Sequence, residues 1–211
     1  MTTAERPEFK VIGTRPIRPD GVEKVTGKAQ YAADIRPAGL IFGRILRSPH
    51  AHARILSIDT SAAEAMPGVL AVVTARDFPA AADAIQDLGE GAVNLKELSD
   101  NILASAKALY KGHAVAAVAA LTRQAAEDAL AKIDVRYEVL QPVLEVRDAM
   151  REDAPLLSES RFTTSMAGRK SDRPSNIAAQ NRFEGGDVEA AFADADHVVE
   201  REFTTKMVHQ G

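Results

Sequence analysis

Ser48-Pro49-His50-Ala51-His52-Ala53-Arg54-Ile55 decides how the rest of the chain is read, as a proline-containing turn leading into a strand. Just before it, Ile41-Phe42-Gly43-Arg44-Ile45-Leu46-Arg47 has the length and composition of a short strand. Just after it, residues 53–58 predict a second strand, in which Ile55 and the residues alternating with it face opposite sides. Ser61 is expected to cap a helix over 62–65 that Pro67-Gly68 stops, and residues 69–74 to return as a buried strand. Strand, helix and strand in so short a span predict a compact βαβ unit.

A second unit follows the same order. Ala114-Val115-Ala116-Ala117-Val118-Ala119-Ala120-Leu121 is an apolar run of strand length, and Thr122 is positioned to cap a helix over 123–132. Ala126, Ala129 and Leu130 fall on one face of that helix, and residues 133–139 alternate apolar and polar as a half-buried strand does. Two such units with a mixed sheet predict an α+β domain over residues 20–150. Residues 1–19, punctuated by Pro7, Pro16 and Pro19, read as an extended tail, and 80–107 as loop with one or two helical turns. The stretch 151–182 turns Ser-, Thr-, Arg- and Asn-rich and reads as a linker or surface crossover. Beyond it, Gly185-Gly186 forms a turn, Asp187 caps a helix over 188–193, and 197–203 alternates as a strand.

The bulk composition narrows the classes of function. Of 211 residues, 45% are hydrophobic and 27% charged, enough apolar surface to offset the entropy of folding. A net charge of -4, no tryptophan and 5% aromatic residues argue against a nucleic-acid surface. Cysteine is absent, so this chain holds no disulfide, thiolate zinc site or cysteine-ligated iron–sulfur cluster. Neither an apolar leader in residues 1–18 nor a run of about 20 apolar residues is present, so no membrane insertion is expected, and a cytoplasmic protein is the default.

Motifs for catalysis are sparse. On a strand, His50 and His52 would share a side and supply two metal ligands, the reading that leads to a metal hydrolase. Only His113, His197 and His209 remain as further imidazoles, and no H-E-x-x-H or H-x-x-E-H helix accompanies them. Gly185-Gly186 lacks the further glycines and the Lys or Ser/Thr of a phosphate cradle. No Ser/His/Asp or Cys/His set is defined by spacing, so no catalytic, cofactor-binding or metal-binding residue is assigned within the chain.

Taken in order, the segments make a pattern. Asp20-Gly21-Val22-Glu23-Lys24-Val25-Thr26-Gly27-Lys28-Ala29-Gln30-Tyr31, the Ser48–Ile55 stretch, Met66-Pro67-Gly68-Val69, Lys111-Gly112-His113-Ala114-Val115-Ala116 and Tyr137-Glu138-Val139-Leu140-Gln141-Pro142-Val143 follow one another along the chain. Together they resemble the N-terminal α/β hammerhead domain of the molybdenum-bearing large subunit in the xanthine dehydrogenase and aldehyde oxidase family. In that pattern His113 stands where glutamine is usual and Ala114 where proline is frequent. The resemblance implies that His52 fixes a turn between two strands. It also implies that residues 183–211 begin the molybdopterin-binding domain.

The activity implied is that of a molybdenum hydroxylase, an oxidoreductase of the xanthine dehydrogenase, aldehyde oxidase or carbon monoxide dehydrogenase type. The complete large subunit would carry the molybdenum cofactor as molybdopterin cytosine dinucleotide, with 2Fe-2S clusters and FAD on partner subunits or domains. This chain would be its N-terminal piece, with a structural and subunit-contact role and no activity alone. The alternative reading is a stand-alone protein-interaction domain without redox activity.

Overall fold

The computed structural model describes residues 9–87, 89, 92–166, 168–206 and 208. Its elements run α1 (Gly21–Val25), β1 (Phe42–Arg47), β2 (Ala53–Asp59), α2 (Ser61–Glu64), β3 (Val69–Thr74), β4 (Ile85–Asp87), β5 (Ala92–Asn94) and α3 (Leu95–Ile102). They continue with β6 (Lys107–Ala108), β7 (Ala114–Ala120), α4 (Arg123–Leu130), β8 (Asp134–Val139), α5 (Val146–Ala149), β9 (Phe162–Thr164), β10 (Lys170–Pro174) and α6 (Val188–Ala193). The class is α+β, with short helices and small sheets, as the resemblance implies.

Two three-stranded sheets form the centre, ordered β1-β7-β3 and β6-β2-β8, and the ladders within them are antiparallel. The expected βαβ units and mixed sheet are therefore corrected. Each strand–helix–strand segment is present, but its helix crosses from one sheet to the other. A parallel crossover needs a dozen or more residues, and only residues 60–68 separate β2 from β3. After α4 the obstacle is different: β7 is already paired on both edges by β1 and β3, so β8 joins β2 instead.

The core lies between the first sheet and its two helices. Ala116, Val118 and Ala120 of β7 pack with Ala63 of α2 and with Ala126 and Ala129 of α4, closed by Ile133 and flanked by Leu46, Val69 and Val72. Alanines on both surfaces let α4 sit close to the sheet. The Arg44 guanidinium bonds the Glu127 carboxylate at 2.7 Å, tying β1 to α4. Thr122 caps α4 as expected, its hydroxyl accepting from the Ala125 N–H at 3.1 Å.

Four local expectations change. Ser61 is the first residue of α2 rather than its cap; the Asp59 carboxylate accepts from both the Ser61 N–H and hydroxyl, which holds Asp59 below the usual carboxylate range. β3 is half-buried rather than buried, because only one of its faces meets the helices. Within 80–107 the expected helical turns are α3, which Asn94 caps by accepting from the Glu97 N–H, but the stretch before it pairs as β4–β5 rather than forming loop. Residues 197–203 form no strand; Glu202 pairs instead with Arg147 of α5. Within 151–182, β9 and β10 make a further small hairpin. At the far end Asp187 caps α6 as expected, its carboxylate accepting from the Ala190 N–H at 3.0 Å.

Candidate functional site

The turn at residues 48–52 is fastened to a second turn at 110–113. The Ser48 N–H donates to the His113 carbonyl and the Gly112 N–H donates to the Ser48 carbonyl, each at 2.8 Å. Gly112 adopts φ +91°, a conformation that a side chain strains, and this lets the backbone double back. The Arg47 guanidinium adds a bond to the Gly112 carbonyl at 2.8 Å. Within the first turn, the Ser48 hydroxyl accepts from the His50 N–H at 3.1 Å.

The histidines go to separate partners. His50 meets Tyr137 edge to face at 5.1 Å, and burial pushes the Tyr137 phenol up against the opposing hydrogen bond from Ser48. His52, 6% exposed, donates from Nδ1 to the Gln141 carbonyl at 3.1 Å, while its own carbonyl accepts from the Leu140 N–H at 2.9 Å. It thereby holds the chain that leaves β8. Its Nε2 is buried with no hydrogen-bond partner among the described residues.

His113 is wholly buried and belongs to a third arrangement. Its Nδ1 accepts from the Leu109 N–H at 3.1 Å, which fixes the other tautomer's proton on Nε2 for donation to the Asp100 carbonyl at 2.9 Å. The ring stacks on Tyr110 with centroids 4.5 Å apart. Burial holds its pKa below the ordinary imidazole value, against the raising effect of the Asp100 carbonyl. Sequence reasoning gave His113 no role. The available signal was a histidine heading a strand with no polar residue, since such an imidazole enters the core and needs backbone partners.

Beside these turns lies a cavity of about 360 Å³, walled by His52, Tyr110, Lys111, Pro142, Leu157 and Arg161 among others. Its outer wall is held by Asn176, whose side chain accepts from the Leu157 N–H and donates to the Ala149 and Pro155 carbonyls. Lys107 on β6 bonds Glu159 at 2.6 Å, which keeps that carboxyl below its usual range. Among the described residues no group of three or more His, Asp or Glu converges as a metal site, and His50 and His52 do not meet. Gly186, at φ +72°, turns the chain so that Asp187 occupies the first turn of α6 with its own carboxylate. Among the described residues the arrangement fastens chain segments together through backbone and side-chain hydrogen bonds.

Comparison with known proteins gives the same picture. The family model for the aldehyde oxidase and xanthine dehydrogenase a/b hammerhead domain matches residues 26–141. The chain is 38% identical to the carbon monoxide dehydrogenase large chain of Afipia carboxidovorans, over 99% of this chain and 25% of that protein. It is 33% identical to a probable hypoxanthine oxidase of Escherichia coli, over 97% and 24% respectively. Among solved structures, a Cu,Mo-CO dehydrogenase in its carbon monoxide reduced state superimposes with a TM-score of 0.64 at 36% identity, over 87% of this chain and 22% of that one. Quinoline 2-oxidoreductase from Pseudomonas putida gives 0.58 at 34%, over 70% and 19%. The chain thus spans about a quarter of the length of the curated relatives it matches.

Proposed function

The chain belongs to the aldehyde oxidase and xanthine dehydrogenase family through its a/b hammerhead domain, and from that premise we propose that it is the N-terminal portion of a molybdenum hydroxylase large subunit. Its part is structural: it folds a domain against which the rest of the subunit and its partners assemble. The alignment of nearly the whole chain with one quarter of a carbon monoxide dehydrogenase large chain is the observation that supports this reading most. On the same reading, 20–150 is the hammerhead domain, 151–182 a crossover and 183–211 the start of the molybdopterin-binding domain. The expected tail over 1–19 lies outside the described residues at 1–8, as the expected domain start does at 207 and 209–211.

The complete subunit would hold molybdopterin cytosine dinucleotide, with 2Fe-2S and FAD groups on partner subunits, working in the cytoplasm. The residues present here do not fit any of these groups. There is no cysteine for a cluster, the described residues converge on no metal, and the one glycine pair leads into a helix start already occupied by the Asp187 carboxylate. No step of an oxidation is therefore assigned to this chain. No helix among the described residues is long and apolar enough to cross a membrane.

The test is metal analysis and dye-linked oxidation by the purified 211-residue chain. The expected result is no bound molybdenum and no turnover. Stoichiometric molybdenum on the chain alone would refute a purely structural role.

A further inference from the structure

β7 carries no polar side chain on either face, yet helices cover only one of them. Ala116, Val118 and Ala120 face α2 and α4. The alternate residues Val115, Ala117 and Ala119 point to the other side of the sheet, where Val115, at the start of the strand, is fully buried. Register places Gly43 and Ala71 on either side of Ala119, and Ile45 and Val73 on either side of Ala117. These two cross-strand rows contain no polar side chain. An antiparallel sheet face that is left to water ordinarily alternates to polar residues, and a strand apolar on both faces is ordinarily covered on both. This face is only partly covered: Ile45 is 46% exposed, Gly43 and Ala71 are exposed, Val73, Ala117 and Ala119 are half-buried, and a Cβ built on Gly43 meets nothing within 4 Å.

We infer that this second face of the β1-β7-β3 sheet is a docking surface for an uncharged, apolar face of the polypeptide that makes up the rest of a large subunit. The inference rests on the function proposed above. Three-quarters of the length of the curated relatives lies outside the region this chain matches, which supplies a candidate cover. Patch size favours that occupant over a second copy of the chain. Six residues fall well short of the roughly 20–30 per side found in stable complexes between separate proteins. A segment held on the same polypeptide docks without the loss of translational freedom that separate partners incur. The glycine and alanines along the middle row allow a close approach, while Ile45 and Val73 supply apolar bulk beside them.

The absence of cysteine makes the face directly measurable. Single variants Ala71→Cys, on the face, and Lys132→Cys, exposed at the end of α4, are labelled with a maleimide in two proteins. One is the 211-residue chain. The other is this chain fused in frame to the part of the Afipia carboxidovorans large chain that lies outside the alignment. In the chain alone both positions should label at similar rates. In the fusion Ala71→Cys should label at least tenfold more slowly with Lys132→Cys unchanged, and adding Gly43→Glu should restore labelling.

A fusion that unfolds in one transition but labels Ala71→Cys as fast as the free chain overturns the inference and leaves the proposed function standing. Protection in the chain alone, with a dimer seen by ultracentrifugation, overturns it in favour of a second copy. A fusion that unfolds as two independent bodies counts against the proposed function itself, and the inference falls with it.

Discussion

The ring of His52 and the carbonyl of Gln141 lie 3.1 Å apart, so a side chain at the entrance to β2 holds the chain just past the end of β8. The two segments are 89 residues apart in sequence. His52→Ala removes that donor and leaves the Gln141 carbonyl without it, at an expected loss of about 1–3 kcal/mol. His52→Asn, whose amide nitrogen overlays Nδ1, should recover about half. Urea denaturation of both variants checks this, and equal losses would mean that packing rather than the hydrogen bond is at stake.

His113 should matter more, because its ring satisfies two backbone groups in the interior. His113→Ala is expected to cost about 3 kcal/mol or more, from the vacated volume together with the unpaired Leu109 N–H and Asp100 carbonyl. Equilibrium unfolding that shows less than about 1 kcal/mol would contradict the arrangement.

The same residue sets a pH dependence. Its folded-state pKa is depressed by burial, so below about 6.5 the unfolded chain takes up a proton that the folded one resists. The associated stability is fully present above that pH and is lost as pH falls toward the folded value. Between pH 7.5 and 5.5 the urea midpoint of the native chain should therefore drop more than that of His113→Gln. Parallel curves for the two proteins would exclude His113 as the group responsible.

Ala126→Leu tests how closely α4 approaches the sheet. Ala126 is fully buried beside Ala63 and Ala129, so a larger apolar side chain has nowhere to go without moving the helix. Destabilisation of about 1–3 kcal/mol is expected despite the gain in hydrophobicity. Thermal unfolding at or above the native midpoint would show that space exists there.

Glu159→Gln should do little in comparison. Its bond to Lys107 ties the 157–161 segment to β6, but Glu159 is largely exposed and solvent screens the pair. A loss of about 0.5 kcal/mol or less is expected in low salt, vanishing near 1 M NaCl where the Debye length is about 3 Å.

What the sequence made legible was local. The strands at β1, β2, β3, β7 and β8, and the caps at Thr122 and Asp187, follow from side-chain period and from hydroxyl or carboxylate groups one residue ahead of a helix. Which strand pairs with which was not legible, because β7 draws its neighbours from 40 and more residues away. The Asn94-x-x-Glu97 spacing that opens α3 was a readable signal obscured by the glycines before it. At 197–203 the alternation was real and yet produced no strand, since a period of two describes a segment able to pair and says nothing of a partner. For the histidine turns, the H-x-H spacing suggested a shared metal, whereas the backbone carries each ring to its own partner.

The central position of β7 also fixes an order of events on the ribosome. β1 and β3 do not pair with each other; each pairs with β7, which is synthesised after both. Until that third strand emerges, two nascent strands have unpaired edges, for a time on the order of seconds at ordinary rates of elongation. The vulnerable period for misassociation therefore belongs to translation, and it closes when Ala120 clears the exit tunnel.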